Sequence, residues 1–258
     1  DDVESRGLGD VYKRQLYEQA IYFDSNYKDA YLKYAQAYKS ASPSQAIEKL
    51  NQLKAIAPDC LEADKELAEV YYATNRFGKA ADTYAKFIDT PVATEDDILK
   101  YAFALFLNHD FEKSLAVAQK GLQKNARHAA FNRLVMYNNV DLKCYDEAEK
   151  AADAFFNASD NADYSCLDYR YHGALLSALK KYDQAIEEYG KALEKDESQV
   201  DLWREIADAY ELKNDYTQAI AAYKKYYDSL AQGKKTSENL FQLGRLYYGE
   251  GTLSLIHI

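Results

Sequence analysis

The stretch YDQAIEEYGKAL, residues 182–193, returns with the same pattern as YTQAIAAYKKYY at residues 216–227. The two copies superpose Tyr182 on Tyr216, 34 positions later, and Tyr189 on Tyr223. Apolar or small residues three or four positions apart line one face of an α-helix. A helical element is therefore predicted to recur along the chain with a period of about 34 residues.

A second amphipathic stretch precedes each of these helices. In DLWREIADAY, residues 201–210, the residues Trp203, Ile206, Ala207 and Tyr210 share one helical face. The paired pattern predicts six helix–turn–helix units starting near residues 27, 61, 95, 129, 166 and 200. Half units are predicted at 16–26 and 237–250, so that the array spans residues 16–250.

This pattern resembles the tetratricopeptide repeat family. The match is carried by WREIADAY, YTQAIAAY, YDQAIEEYGKALEKD and KAIAPD. The resemblance implies an all-α fold, a right-handed superhelical solenoid of stacked helix-turn-helix repeats. Two places depart from the pattern: a shortened turn at Ser42 and Pro43, and an insertion, NASDNAD, at residues 157–163. The repeat beginning near residue 200 also runs on through GKKTS, residues 233–237.

The two ends of the chain do not fit the repeat. GLGDVYKRQ near the start and LSLIHI at the end resemble translated sequencing adapters from metagenomic reading frames. We expect residues 1–15 to be a non-native leader, residues 251–258 a non-native tail, and the source to be bacterial.

Small residues are expected where two helices cross closely. The repeat places Gly173 opposite Ala185, and Ala207 opposite Ala219. Large side chains such as Tyr189 fill the space beside each crossing. The abundant tyrosines are therefore predicted to be packing residues and not a recognition surface.

Composition excludes several classes of function. With 42 acidic and 32 basic side chains, the net charge of −10 disfavours nucleic acid. No apolar run approaches the roughly 18 residues of a membrane span, so a soluble protein, cytoplasmic or periplasmic, is predicted. The cysteines Cys60, Cys144 and Cys166 are isolated, and we expect buried free thiols without a disulfide. Four histidines form no catalytic or metal-ligand pattern, which predicts a non-enzymatic protein without metal or cofactor.

The resemblance also implies a ligand groove on the first helix of each repeat. Its predicted lining residues are Lys65, Tyr72, Phe103, Phe106, Arg133, Tyr137, Arg170, Arg204 and Arg245. Our hypothesis is that Arg133, Arg170 and Arg204 hold an extended peptide, with Phe103 and Phe106 forming an adjoining apolar pocket. The alternative is that these arginines pair with acids of neighbouring helices. The carboxylate clamp of some family members is not matched, because its asparagine positions hold Glu69, Ala174 and Asp208.

These observations favour a scaffold or adaptor that binds a protein or peptide in its groove. Two alternatives remain open: a regulatory or docking arm of a larger enzyme or sensor, and a component of cell-envelope assembly.

Overall fold

The computed structural model describes residues 2–160 and 163–251, with side chains from residue 12 onward, so most of the predicted tail lies outside the described residues. The described residues form fourteen α-helices and one isolated bridge between His128 and Asp160. The helices are α1 (Asp2–Phe23), α2 (Lys28–Tyr38), α3 (Pro43–Ile56), α4 (Leu61–Ala73), α5 (Phe77–Tyr84), α6 (Glu95–Leu107), α7 (Phe111–Lys124), α8 (Ala129–Asp141), α9 (Tyr145–Asp153), α10 (Cys166–Ala178), α11 (Tyr182–Lys195), α12 (Asp201–Leu212), α13 (Tyr216–Ser229) and α14 (Ser237–Glu250).

The helices form two compact units, divided between Ala126 and Arg127. In the first unit, α1 packs on α2, and the antiparallel pairs are α2 with α3, α4 with α5, and α6 with α7. In the second unit the pairs are α8 with α9, α10 with α11, and α12 with α13, and α14 packs on α13. The prediction of an all-α fold of stacked helix–turn–helix repeats is confirmed.

Five of the turns between paired helices share one backbone conformation. In each, a residue with positive φ stands two positions before the aromatic residue that begins the second helix; these residues are Asn75, His109, Lys143, Lys180 and Asn214, with φ of 57–64°. The following N–H group donates to a carbonyl five residues earlier, as from Lys181 N to Leu176 O at 2.8 Å. This Schellman closure satisfies the last carbonyls of the first helix and reverses the chain.

The predicted packing role of the tyrosines is borne out by their burial. Tyr84, Tyr189 and Tyr223 expose at most 4% of their surface. A Cβ atom added to Gly173 would lie 2.6 Å from Cε1 of Tyr189. The close approach at Gly173 is therefore made to the Tyr189 ring, and not to the predicted Ala185, which is also buried.

The two predicted departures from the repeat have local structural causes. Pro43 is the first residue of α3, where its missing N–H costs no hydrogen bond, and no left-handed residue occurs in that turn. At the insertion, α9 continues into a π-helix at Ala154–Ala158 before the chain leaves the hairpin.

The three cysteines differ in their exposure. Cys60 is buried and Cys166 half-buried, but Cys144 is exposed because it lies in the turn between α8 and α9; its predicted burial was wrong.

Within the described part of the chain, no helix is both long enough and apolar enough to cross a membrane.

Candidate functional site

Four of the five basic residues predicted on the first helices form ion pairs with acids of neighbouring repeats. Helix α10 begins with a capping box in which the Ser165 side chain accepts from Asp168 N, and Asp168 Oδ2 accepts from Ser165 N at 2.7 Å. Arg133 of α8 donates to both carboxylate oxygens of Asp168, at 2.7 and 3.1 Å. Tyr137 donates its hydroxyl proton to Asp168 Oδ1 at 2.7 Å. Asp168 is fully buried, so these donors replace its hydration.

The first unit contains the same arrangement between α4 and α6. Thr94 caps α6, and Asp97 Oδ2 accepts from Thr94 N at 2.7 Å. Lys65 donates to the same oxygen at 2.6 Å. Burial acts to raise the pKa of Asp97, but the hydrogen bonds from Lys65 and Thr94 outweigh it and hold that pKa below its ordinary value. Lys65 thus joins two repeats.

Helix α12 supplies acids to the helices on both sides of it. Arg170 of α10 donates through Nε to Glu205 at 2.9 Å. Arg245 of α14 makes a two-point contact with Glu211, at 2.6 and 2.8 Å. The predicted alternative, in which arginines pair with neighbouring acids, therefore describes Arg133 and Arg170.

Arg204 differs from the other predicted arginines. Its side chain is exposed, its guanidinium lies 5.7 Å from the centre of the Tyr226 ring, and it forms no ion pair with any described residue. The capping box of α14 has Asn239 at the position where that of α6 has Asp97 and that of α10 has Asp168. A neutral amide offers Arg204 no counter-charge.

The charge beside Arg204 comes from its own helix. Asp208 is exposed and lies one turn further along α12. Although the residue as a whole is exposed, partial desolvation of its carboxyl raises the pKa of Asp208; Glu211 and Glu205 raise it further, whereas Arg204 and Arg245 act to lower it. Arg204 therefore stands beside an acid whose charge two arginines only partly offset.

The predicted aromatic lining is only partly accessible. Tyr72 and Phe103 are half-buried, and the Tyr72 ring meets Phe77 edge-on at 5.8 Å. Phe106 is 8% exposed. It lies near the end of α6, and its ring centre is 5.7 Å from that of Phe111 at the start of α7. Tyr137 is 2% exposed and stacks on Tyr171 at 4.1 Å. Phe106 and Tyr137 are therefore core residues that offer little accessible surface to a ligand, and the groove lining stays a prediction.

Sequence reasoning missed Asp97 and Asp168, which hold Lys65 and Arg133. A local signal was present, because TEDD at 94–97 and SCLD at 165–168 both place an acid three residues after a hydroxyl side chain. That spacing is the capping box of a helix start. The partners were not identifiable from it, since they lie on another repeat.

The described residues bring few reactive groups together. No cluster of three or more potential metal-ligating side chains occurs among them. His172 Nδ1 lies 3.0 Å from Glu188 Oε2, and the imidazole stacks on Phe156 at 4.7 Å. Burial acts to raise the pKa of Glu188, but His172 and Lys191 outweigh it and lower that pKa. We interpret this pair as a packing contact between α10 and α11.

Part of the second unit matches the sequence profile of a known repeat family. Residues 172–234 match the profile of the family described as "Tetratricopeptide repeat". No curated protein sequence matches the chain.

Solved structures with this fold have low sequence identity to the chain. The C-terminal part of a TPR repeat-containing protein from Cytophaga hutchinsonii superposes with a TM-score of 0.65 at 16% identity, over 87% of this chain and 89% of that one. A tetratricopeptide repeat protein from Parabacteroides merdae gives 0.63 at 15% identity, over 87% of each chain. The APC/C hetero-tetramer Cut9–Hcn1 gives 0.61 at 12% identity, over 91% of this chain and 46% of that one. Residues 172–234 therefore carry the sequence of a tetratricopeptide repeat, and the described chain shares the fold of solved tetratricopeptide repeat proteins.

Proposed function

We propose that this chain is a non-catalytic scaffold that binds a protein or peptide along its first-helix surface, with Arg204 contacting a carboxylate of the partner. Tetratricopeptide repeats are generally interaction modules, and the structurally similar Cut9 was solved in complex with Hcn1. The observation that carries the proposal is the exposed guanidinium of Arg204, which has no ion pair among the described residues.

The other basic residues are poorly suited to a new partner. A ligand carboxylate at Arg133 would have to displace the buried Asp168, leaving that acid without its counter-charge. At Arg170 and Arg245 it would have to displace Glu205 and Glu211. At Arg204 it displaces only water, and the guanidinium fork suits two-point contact with a carboxylate.

The neighbouring Asp208 extends the expected preference. Desolvation raises the pKa of Asp208 although Arg204 and Arg245 act to lower it, so a further donor from a partner would stabilise its carboxylate. A partner that places an acid at Arg204 and a basic or hydrogen-bond-donating group at Asp208 would satisfy both side chains. A peptide with one acid and one base a few residues apart has this chemistry.

An array of random-sequence peptides probed with the whole chain tests the proposal. We expect bound peptides to be enriched in Asp and Glu, and Arg204→Ala to weaken them by about fivefold, the value of one exposed charge pair. Arg76→Ala is the matched control, because Arg76 is also exposed but lies in the turn between α4 and α5. Identical peptide sets and affinities for wild type and Arg204→Ala would contradict the proposal.

A further inference from the structure

The second helix of the α4/α5 pair ends early. Helix α5 has 8 residues, whereas α3, α7, α11 and α13 each have 14. After Tyr84 the backbone bonds are mixed: Lys86 N donates to Thr83 O and Phe87 N to Tyr84 O across three residues, whereas Ile88 N donates to Tyr84 O across four, at 3.0 Å. Pro91 follows and cannot extend a helix. The second helix of this hairpin thus ends in irregular turns.

In another hairpin, the end of the second helix carries apolar side chains that pack against the next repeat. At the end of α11, Ala192 and Leu193 are buried and pack in one cluster with Leu202 and Ile206 of the next repeat. In the α4/α5 pair, Phe87 is buried, but Ile88 remains half-buried. Phe87 and Ile88 stand where Ala192 and Leu193 stand in α11, so the end of the pair is filled by Phe87, with Ile88 at its partly exposed edge.

An open cleft of about 540 Å³ occupies this position within the first unit. Its apolar walls are Ile88, Ala93, Ile98, Tyr101 and Val117. Ala93, Tyr101 and Val117 also pack against the buried cluster around Tyr84 and Phe87, so the floor of the cleft is an extension of the core. A volume of this size is in the range of sites that bind small organic groups.

The rim of the cleft carries positive charge. Lys120 and Lys124 of α7 line it together with Asp89. Lys120 forms an exposed ion pair with Asp89 at 3.0 Å. Lys124 is exposed and has no ion pair among the described residues, so one positive charge at the rim is left uncompensated.

We propose that this cleft, here called the α5 cleft, is a second peptide-binding site that takes a bulky apolar side chain followed by an acidic residue. The apolar side chain lies against the walls formed by Ile88, Ile98 and Tyr101, and the acid faces Lys124. The site is independent of Arg204, which lies in the other compact unit.

Titration of the isotope-labelled whole chain with a synthetic peptide, Gly-Ser-Leu-Phe-Asp-Glu-Gly, tests the proposal by NMR. We expect saturable changes at the amides of residues 85–93 and 117–124. A peptide with Ser-Ser in place of Leu-Phe should bind at least about tenfold more weakly, because burial of one large apolar side chain contributes that much. A peptide with Lys-Lys in place of Asp-Glu should bind about threefold to tenfold more weakly.

Variants of the protein separate the cleft from the rest of the surface. Ala93→Phe fills the cleft and should abolish the amide changes, whereas Ala221→Phe, at an exposed position of α13, should leave them unchanged. Lys124→Glu should weaken the acidic peptide about threefold, and Lys234→Glu, also exposed, should not. Circular dichroism of each variant establishes that the helices are retained.

Several outcomes would overturn the proposal. These are the absence of saturable changes at residues 85–93 and 117–124, equal binding of the Ser-Ser peptide, equal binding of the Lys-Lys peptide, or binding of decanoate in the cleft without binding of the peptide. Arg204→Ala should bind the Leu-Phe peptide like the wild type, so failure here is distinguishable from failure of the proposed function.

Discussion

Replacing Gly173 by alanine sets two opposing effects against each other at the α10/α11 crossing. In an ordinary helix interior the change stabilises a protein by about 1 kcal/mol, because alanine loses less backbone entropy than glycine. At Gly173 the new Cβ atom would lie 2.6, 2.7 and 3.1 Å from three ring carbons of Tyr189. Carbon atoms attract best at about 3.5–4.0 Å, so the ring would have to retreat by roughly 1 Å.

The Tyr189 ring has little room for that movement. It is 4% exposed and belongs to a cluster with Leu202, Ile206 and Ala207. Inserting a methyl group into such packing costs about 1–3 kcal/mol, and an overlap of this size belongs at the upper end. We therefore expect Gly173→Ala to lower the free energy of unfolding by about 2 kcal/mol, after the gain in helix propensity is subtracted.

Gly190→Ala is the matched control, on the facing helix of the same hairpin. No atom lies within 4 Å of its added Cβ, so this variant should be up to about 1 kcal/mol more stable than the wild type. Urea denaturation followed by circular dichroism gives the comparison, and hydrogen exchange of α10 and α11 localises the change, because repeat arrays need not unfold as one cooperative unit.

Equal stability of Gly173→Ala and Gly190→Ala would contradict the clash with Tyr189. In a Tyr189→Leu background, where the ring is absent, Gly173→Ala should lower the free energy of unfolding by less. Additive effects of the two substitutions would contradict the assigned contact.

Three further predictions concern the turns and the capping boxes. Lys180→Gly should raise the free energy of unfolding by about 1 kcal/mol, measured with urea, because φ is 62° at that residue; no gain would argue against the left-handed turn. Asp168→Asn should lower it by about 3 kcal/mol, because Arg133 loses its buried counter-charge and the amide nitrogen cannot accept from Arg133 and Ser165 as Oδ2 does; an unchanged urea midpoint would contradict the network. The pKa of folded Asp97 lies below the ordinary 3.8, so its carboxylate stabilises the fold fully above pH 3.8, and this stabilisation is lost as the pH falls through the lower folded pKa. The melting temperature should therefore decline between pH 6 and pH 2, and Asp97→Asn should reduce that decline.

The fold class followed from local spacing. Helical periodicity in the stretches around Tyr182, Tyr216 and Trp203 depends only on residues within one helix, and recurrence at a fixed period implies stacking. The six paired first helices begin at Lys28, Leu61, Glu95, Ala129, Cys166 and Asp201. The origin of the two chain ends is not a property of the fold and stays a prediction.

The candidate site was less accessible to sequence reasoning. Position within the repeat indicated that Lys65, Arg133 and Arg170 share a helix face, but it did not show that each already binds an acid of the following repeat. The same argument predicted that Phe106 and Tyr137 line the groove, but both side chains are buried in the core. Helical position specifies a direction from one helix axis, whereas burial depends on what the neighbouring helices place there.

The amino-acid sequence by itself determined the helices, their pairing and the packing role of the tyrosines, because each depends on the order of apolar residues along a short segment. Tertiary structure alone decided which charges are compensated. Arg133 is paired with Asp168, 35 positions away, whereas Arg204 forms no ion pair with any described residue. Coulomb attraction acts through space and not along the chain, so the difference between a paired and an unpaired arginine appears only when the repeats are stacked.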